Sequence, residues 1–108
     1  MADFYIKRGD RLPKFTVWLQ NPDGSPVVLA DEPIRFRMFP VGGKEAKVDG
    51  IGAIEDGPKG RVSYSWAAGD TDTPGEYNAE WAVMFGDDKE MTFPNYDYMK
   101  VLVYPDLK

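Results

Sequence analysis

The sequence predicts an all-β protein, and two observations carry that prediction. From Tyr77 to Phe85, large apolar residues and alanine recur at every second position. This period is typical of a half-buried β-strand, whose side chains alternate between two faces. Turn-forming residues also recur roughly every ten residues along the chain, which is the spacing of short strands in a sandwich. The pattern therefore predicts roughly seven to nine antiparallel strands in two stacked sheets.

The segment leading into Tyr77 specifies the kind of sandwich. A dense turn signal begins at Asp70 and contains Pro74 and Gly75, and Tyr77 follows at the head of the core strand. This order is typical of the tyrosine corner of an immunoglobulin-like β-sandwich. Antibody domains carry a cysteine two residues after that tyrosine, whereas this chain has Ala79. We therefore predict an immunoglobulin-like β-sandwich without a disulfide.

The individual strands are predicted from alternating apolar residues between turn signals. The regular segments are 4–7, 15–20, 26–29, 34–39, 62–66, 77–85, 91–93 and 99–104. Segment 46–54 is less regular, because Gly50 and Gly52 favour a bulge or bend. We expect no helix longer than one turn, and 66–70 is the best place for one.

Composition limits the classes of function. Residues 1–108 predict one domain, since domain sizes cluster around roughly 100–150 residues. The net charge of −5 argues against nucleic acid and against an anionic membrane surface. The chain has neither histidine nor cysteine, so the commonest general base and the best nucleophile are missing. We therefore expect no enzymatic activity, no cofactor and no metal site.

Acidic loops leave a calcium site as an alternative. Asp70 and Asp72 share one loop, Asp87 and Asp88 share another, and calcium prefers oxygen ligands. The Asp70 loop lacks the ligand spacing of an EF-hand, and aspartate often begins turns by bonding local backbone N–H groups. We favour this turn chemistry over a calcium site.

Strand alternation also directs several large apolar side chains outward. Aromatic residues, Met and Arg are enriched at protein interfaces, and several apolar groups on one sheet mark a contact surface. The alternative for the two arginines on segment 34–39 is pairing with nearby carboxylates. The interface candidates are Trp18, Arg35, Arg37, Phe39, Met84, Leu102 and Tyr104.

Several segments together resemble a family of small tailed-phage proteins. The segments are 4–15, 23–29, 34–38 and 62–77, and the last of them, VSYSWAAGDTDTPGEY, is the most specific. They are similar to the immunoglobulin-like domain at the N-terminus of phage baseplate upper proteins and in related stand-alone phage proteins. The resemblance implies a non-enzymatic virion protein that is made in the host cytoplasm. It further implies multiple copies that contact other phage structural proteins, in the tail or baseplate or as a capsid decoration.

A second class of function is a module that binds host-surface or cell-wall glycans. Sugars stack on exposed aromatic rings, and Trp18, Tyr96 and Tyr98 are the candidates for such a platform. The tyrosines of this group are equally suited to covering the core.

Overall fold

The computed structural model describes residues 2–94 and 97–105, which form nine β-strands in two sheets. The predicted all-β class is confirmed. The strands are β1 (Phe4–Lys7), β2 (Phe15–Trp18), β3 (Ile34–Pro40), β4 (Val48–Ile51), β5 (Ala53–Asp56), β6 (Arg61–Tyr64), β7 (Gly75–Phe85), β8 (Lys89–Phe93) and β9 (Met99–Tyr104).

The larger sheet has six strands in the order β1-β9-β7-β3-β4, with β8 also paired to β7. The smaller sheet has the order β2-β6-β5. Strand β7 is the longest, with 11 residues, and it binds β9 along its first half and β8 along its second half. The expectation that all strands are antiparallel was wrong, because β1 pairs with β9 in parallel. Parallel neighbours need a long connection, and here nearly the whole chain lies between them.

The helical turn also lies elsewhere than expected. A 3-10 turn spans Gly57–Lys59, whereas 66–70 contains only non-helical turns. The side chain of Asp56 accepts a hydrogen bond from the Lys59 amide, and Pro58 supplies a backbone angle suited to a helix start. These local interactions favour the 3-10 turn directly after β5.

Side chains from both sheets meet in one hydrophobic core. Its centre is an aromatic cluster around Phe36, which is fully buried. The Phe36 ring lies 4.8 Å, between centroids, from both Tyr64 of the smaller sheet and Trp81 of the larger one. Phe15 and Trp66 meet the same ring edge-on, at 5.7 and 5.8 Å. The two sheets are therefore held together by aromatic contacts across their inner faces.

The bend predicted in segment 46–54 is the point where the chain changes sheets. Strand β4 belongs to the larger sheet and β5 to the smaller one, and Gly52 alone separates them. A Cβ atom at Gly52 would lie 3.0 Å from the Ile34 side chain and 3.1 Å from the Trp81 ring. A side chain at this position would press on the core, which favours glycine where the chain crosses between the sheets.

A side-chain hydrogen bond connects the start of β7 to the turn before it. Tyr77 is buried, and its hydroxyl donates a hydrogen bond to the carbonyl of Thr73, four residues upstream, at 2.5 Å. Ala79, two residues further along β7, is buried in the core. This bond ties the 70–75 turn to the first residues of the central strand.

Candidate functional site

The seven interface candidates lie on two different faces of the molecule. Trp18 belongs to β2, on the outer face of the smaller sheet. The others lie on the outer face of the larger sheet, and they are Arg35, Arg37, Phe39, Met84, Leu102 and Tyr104. The seven candidates therefore do not form one continuous surface.

The two arginines take part in an ion-pair network at the centre of the larger outer face. Arg35 Nε lies 2.6 Å from Asp49 Oδ1. Arg37 lies 3.8–4.0 Å from carboxylate oxygens of Asp49, Glu80 and Glu90. Exposed pairs of this kind contribute about 0–1 kcal/mol each to stability. The local pairing considered for these arginines is confirmed, and three carboxylates outnumber the two guanidinium groups.

Phe39 and Met84 lie at opposite ends of the same face. Phe39 pairs with Asn78 near the start of β7, whereas Met84 pairs with Glu90 near its end. Both side chains are half-buried. Asn78, the partner of Phe39, lies six positions before Met84 on β7, which is roughly 20 Å along the strand. These two side chains therefore belong to separate parts of the surface.

The remaining two candidates belong to a cluster, formed by β1, β9 and two loops, that we name the tyrosine patch. Its members are Tyr5, Leu12, Val41, Leu102 and Tyr104. Leu102 is half-buried, and the other four are between 44% and 78% exposed. The rings of Tyr5 and Tyr104 are stacked, with centroids 5.9 Å apart and planes 11° from parallel. Leu102 lies directly opposite Tyr5 on the neighbouring strand.

Two shallow concavities flank the stacked rings. One, of about 310 Å³, lies beside Tyr5, Val41 and Leu102, and Glu76 and Lys100 add polar groups to its wall. The other, of about 270 Å³, lies between the two rings and Leu12. Several large exposed apolar groups are thus continuous at one end of the face, which is the arrangement that marks a contact surface.

Three members of the patch were not predicted from the sequence. Tyr5 could have been found, because Phe4 and Ile6 point into the core and alternation directs Tyr5 outward. Val41 and Leu12 lie in loops, where side chains do not alternate in direction with a fixed period. A backbone bond from the Val41 amide to the Glu76 carbonyl, 3.1 Å long, fixes Val41 beside the patch.

Trp18 lies on the smaller sheet with a different set of neighbours. Its ring is 56% exposed, and the Arg61 guanidinium lies 5.8 Å from the ring centroid. It borders a groove of about 370 Å³ together with Gln20 and Phe93. Tyr98 borders another groove, beside Phe39, so these two rings do not line a common groove. Tyr96 lies outside the described residues.

The acidic loop at 70–72 is used for local bonding. Asp70 Oδ2 accepts hydrogen bonds from the Tyr64 hydroxyl at 2.6 Å and the Ala67 amide at 2.8 Å. Asp72 pairs with Lys47 and accepts a bond from the Thr73 hydroxyl, and these contacts hold its pKa below the usual value. Turn chemistry is therefore confirmed at this loop. In the described part of the chain, no three acidic side chains cluster as metal ligands would.

Burial raises the pKa of the Tyr64 phenol well above its usual value of about 10, and the Asp70 carboxylate beside it raises it further. Burial also raises the pKa of Tyr77. Both phenols therefore stay neutral in the folded protein at a pH where the unfolded chain ionises. Their stabilising effect is complete below about pH 10 and is lost as the pH rises above it.

Alkaline pH is therefore expected to weaken the fold, and Tyr64→Phe is expected to reduce that effect. The shifted Tyr64 phenol contributes a loss of about 1 kcal/mol in unfolding free energy per pH unit above about pH 10. Urea unfolding between pH 8 and 11 measures the slope. Val62→Ala is the matched control, because it removes buried volume from the same strand without changing a titratable group. Equal slopes for Tyr64→Phe and the wild type would contradict the expectation.

Comparison with protein-family models, with curated proteins and with solved structures found no match to this chain. Within the described residues, no helix has the length and apolar composition needed to cross a bilayer.

Proposed function

We propose that this chain is an immunoglobulin-like β-sandwich that serves as a non-enzymatic structural protein of a tailed-phage virion. Its partners are other phage structural proteins, in the tail or baseplate or on the capsid. The two packed sheets and the Tyr77–Thr73 bond support the immunoglobulin-like assignment. The resemblance of segment 62–77 to baseplate upper proteins supports the placement on a virion.

The tyrosine patch is the observation that carries the docking part of the proposal. Tyrosine is enriched among residues that dominate binding energy, because its large ring buries much area with few rotatable bonds. The stacking of Tyr5 on Tyr104 already restricts both rings before a partner binds. Little side-chain entropy would then be lost on docking. The ion pairs around Arg37 provide a polar surround on the same face.

The mechanism that follows is passive. A rigid two-sheet scaffold presents the patch, and the partner covers it. Repeated copies on a symmetric particle bind more strongly together than one copy does alone, because each attachment raises the effective concentration of the next. No step of this mechanism requires a reacting group.

The expected result of Tyr104→Asp is loss of the protein from purified phage particles, since a charge would be buried against the partner. Trp18→Asp is the matched control: it places the same charge on an exposed aromatic position of the opposite face. Each variant gene would replace the wild-type gene in the phage, and quantitative mass spectrometry would measure protein per particle. Circular dichroism would show that both variants fold.

Three outcomes would contradict the proposal in different ways. Absence of the wild-type protein from particles would remove the virion role. Normal incorporation of Tyr104→Asp would remove the patch as the docking surface. Loss of Trp18→Asp alone would assign docking to the smaller sheet instead.

A glycan-binding module is the second candidate function, and the exposed Trp18 ring beside Gln20 favours it. A sugar ring could stack on the indole while the amide bonds its hydroxyls. Binding of the isolated protein to a glycan array, lost in Trp18→Ala and kept in Tyr104→Ala, would support this function. An array without signal would contradict it.

A further inference from the structure

We propose that the outer edge of β1 pairs with β1 of a second copy of this chain, so that two molecules share one continuous sheet about a twofold axis. Strand β1 is the last strand of the larger sheet and binds only β9 among residues 2–94 and 97–105. An unpaired edge of this kind is a template for another strand. This inference concerns self-association and goes beyond the proposed docking role.

The backbone of β1 shows which groups face the open edge. The Arg8 amide donates to the Tyr104 carbonyl on β9 at 2.7 Å, in register with the β1–β9 pairing. Because backbone groups alternate in direction along a strand, those of Phe4 and Ile6 also face β9, and those of Tyr5 face away. The Tyr5 amide and carbonyl are thus directed toward a neighbour on the open side.

A twofold axis at Tyr5 uses both of these groups. In that antiparallel register, Tyr5 lies opposite Tyr5 of the second copy, and the two residues form a hydrogen-bonded pair that exchanges two bonds. Phe4 then lies opposite Ile6 of the second copy as a non-hydrogen-bonded pair on either side. The two copies therefore form two backbone hydrogen bonds at the axis.

The side chains of β1 match in the same register. Asp3, Tyr5 and Lys7 are exposed, whereas Phe4 and Ile6 point into the core. The twofold axis places the Asp3 carboxylate opposite the Lys7 ammonium of the second copy, twice, which is favourable for cross-strand pairs. Tyr5 then meets its own copy. The charge pattern of the strand is complementary to itself, which favours a second copy over an unrelated strand.

Pairing in this way also joins the tyrosine patches of the two molecules. Tyr5 is at once the centre of the new strand pair and the ring stacked on Tyr104. The row of aromatic side chains would run from one Tyr104, through two copies of Tyr5, to the other Tyr104. The dimer would offer a partner twice the apolar surface on one side.

A cysteine cross-link tests the register directly, because the natural chain has no cysteine. The proposed axis places the two Tyr5 Cα atoms about 5.5 Å apart, within the range that a disulfide spans. Tyr5→Cys, oxidised at micromolar concentration, is therefore expected to run mainly as a covalent dimer on non-reducing gels. Lys7→Cys is the matched control: it is exposed on the same strand, but its two copies would be about 14 Å apart.

Absence of the Tyr5→Cys dimer, or equal cross-linking of both variants, would overturn the proposal. A strand supplied by a different protein would leave both variants monomeric. Charge exchange gives an independent measurement with light scattering. Lys7→Asp alone and Asp3→Lys alone are expected to be monomers, and an equal mixture of the two is expected to recover the dimer mass. These measurements use purified protein, so their failure would leave the virion proposal untouched.

Discussion

Replacing Phe36 by alanine is expected to lower the free energy of unfolding by about 3–5 kcal/mol. Phe36 is fully buried, and its ring contacts Tyr64 of the smaller sheet and Trp81 beside it on the larger one. The substitution removes a large apolar surface and leaves a cavity that the β-strands on either side can close only in part. A domain of this size is stable by about 5–15 kcal/mol, so much of that margin would be lost.

Phe39→Ala is the control for this prediction. Phe39 lies on the same strand, three residues later, but it is half-buried on the outer face. Its truncation is expected to cost about 1 kcal/mol, because less surface is returned to water and no internal cavity forms. Urea unfolding followed by tryptophan fluorescence measures both variants. Similar losses for the two would contradict the assignment of Phe36 to the centre of the core.

Gly60→Ala is expected to cost about 3 kcal/mol or more, because two independent problems meet at this residue. The backbone is left-handed, with φ at +69°, which disfavours any side chain. A Cβ atom would also lie 2.7 Å from the carbonyl oxygens of both Leu19 and Val27. Those are backbone atoms of a neighbouring segment, and moving them would strain the Leu19–Gly60 hydrogen bond.

Gly24→Ala separates the effect of the left-handed backbone from the effect of the close approach. Gly24 has a φ of +89°, but a Cβ atom there meets nothing within 4 Å. Its cost is expected to be about 1–2 kcal/mol, the penalty of the left-handed conformation alone. Thermal unfolding of the two variants side by side gives the difference. A loss at Gly60 no greater than the loss at Gly24 would mean that the close approach does not constrain the fold.

The strands could largely be predicted from the sequence because their alternation is a local property. Phe36, Trp81 and Val101 each stand in an alternating run, and each is buried in the structure. Which strands become neighbours is not local. Nothing in the period of 4–7 or 99–104 indicates that β1 joins β9, and the parallel direction was missed for that reason.

The candidate contact surface could be predicted only in part, for the same reason. Alternation correctly directed Trp18 and Tyr104 outward, since both are exposed. It could not show that they belong to different sheets. Alternation indicates whether a side chain points inward or outward, but not which sheet its strand joins. Val41 and Leu12 were missed because their loops have no period, and their positions follow only from how the strands are arranged.

The pairing of β1 with β9 has a consequence for how the chain reaches its native state. The Lys100 amide bonds to the side chain of Asp3, a residue 97 positions earlier in the sequence. Such distant contacts slow folding, since a very long loop must close before they contribute any stability. A ribosome makes β1 before β9, so β1 cannot pair with β9 until residues 8–98 have also been made.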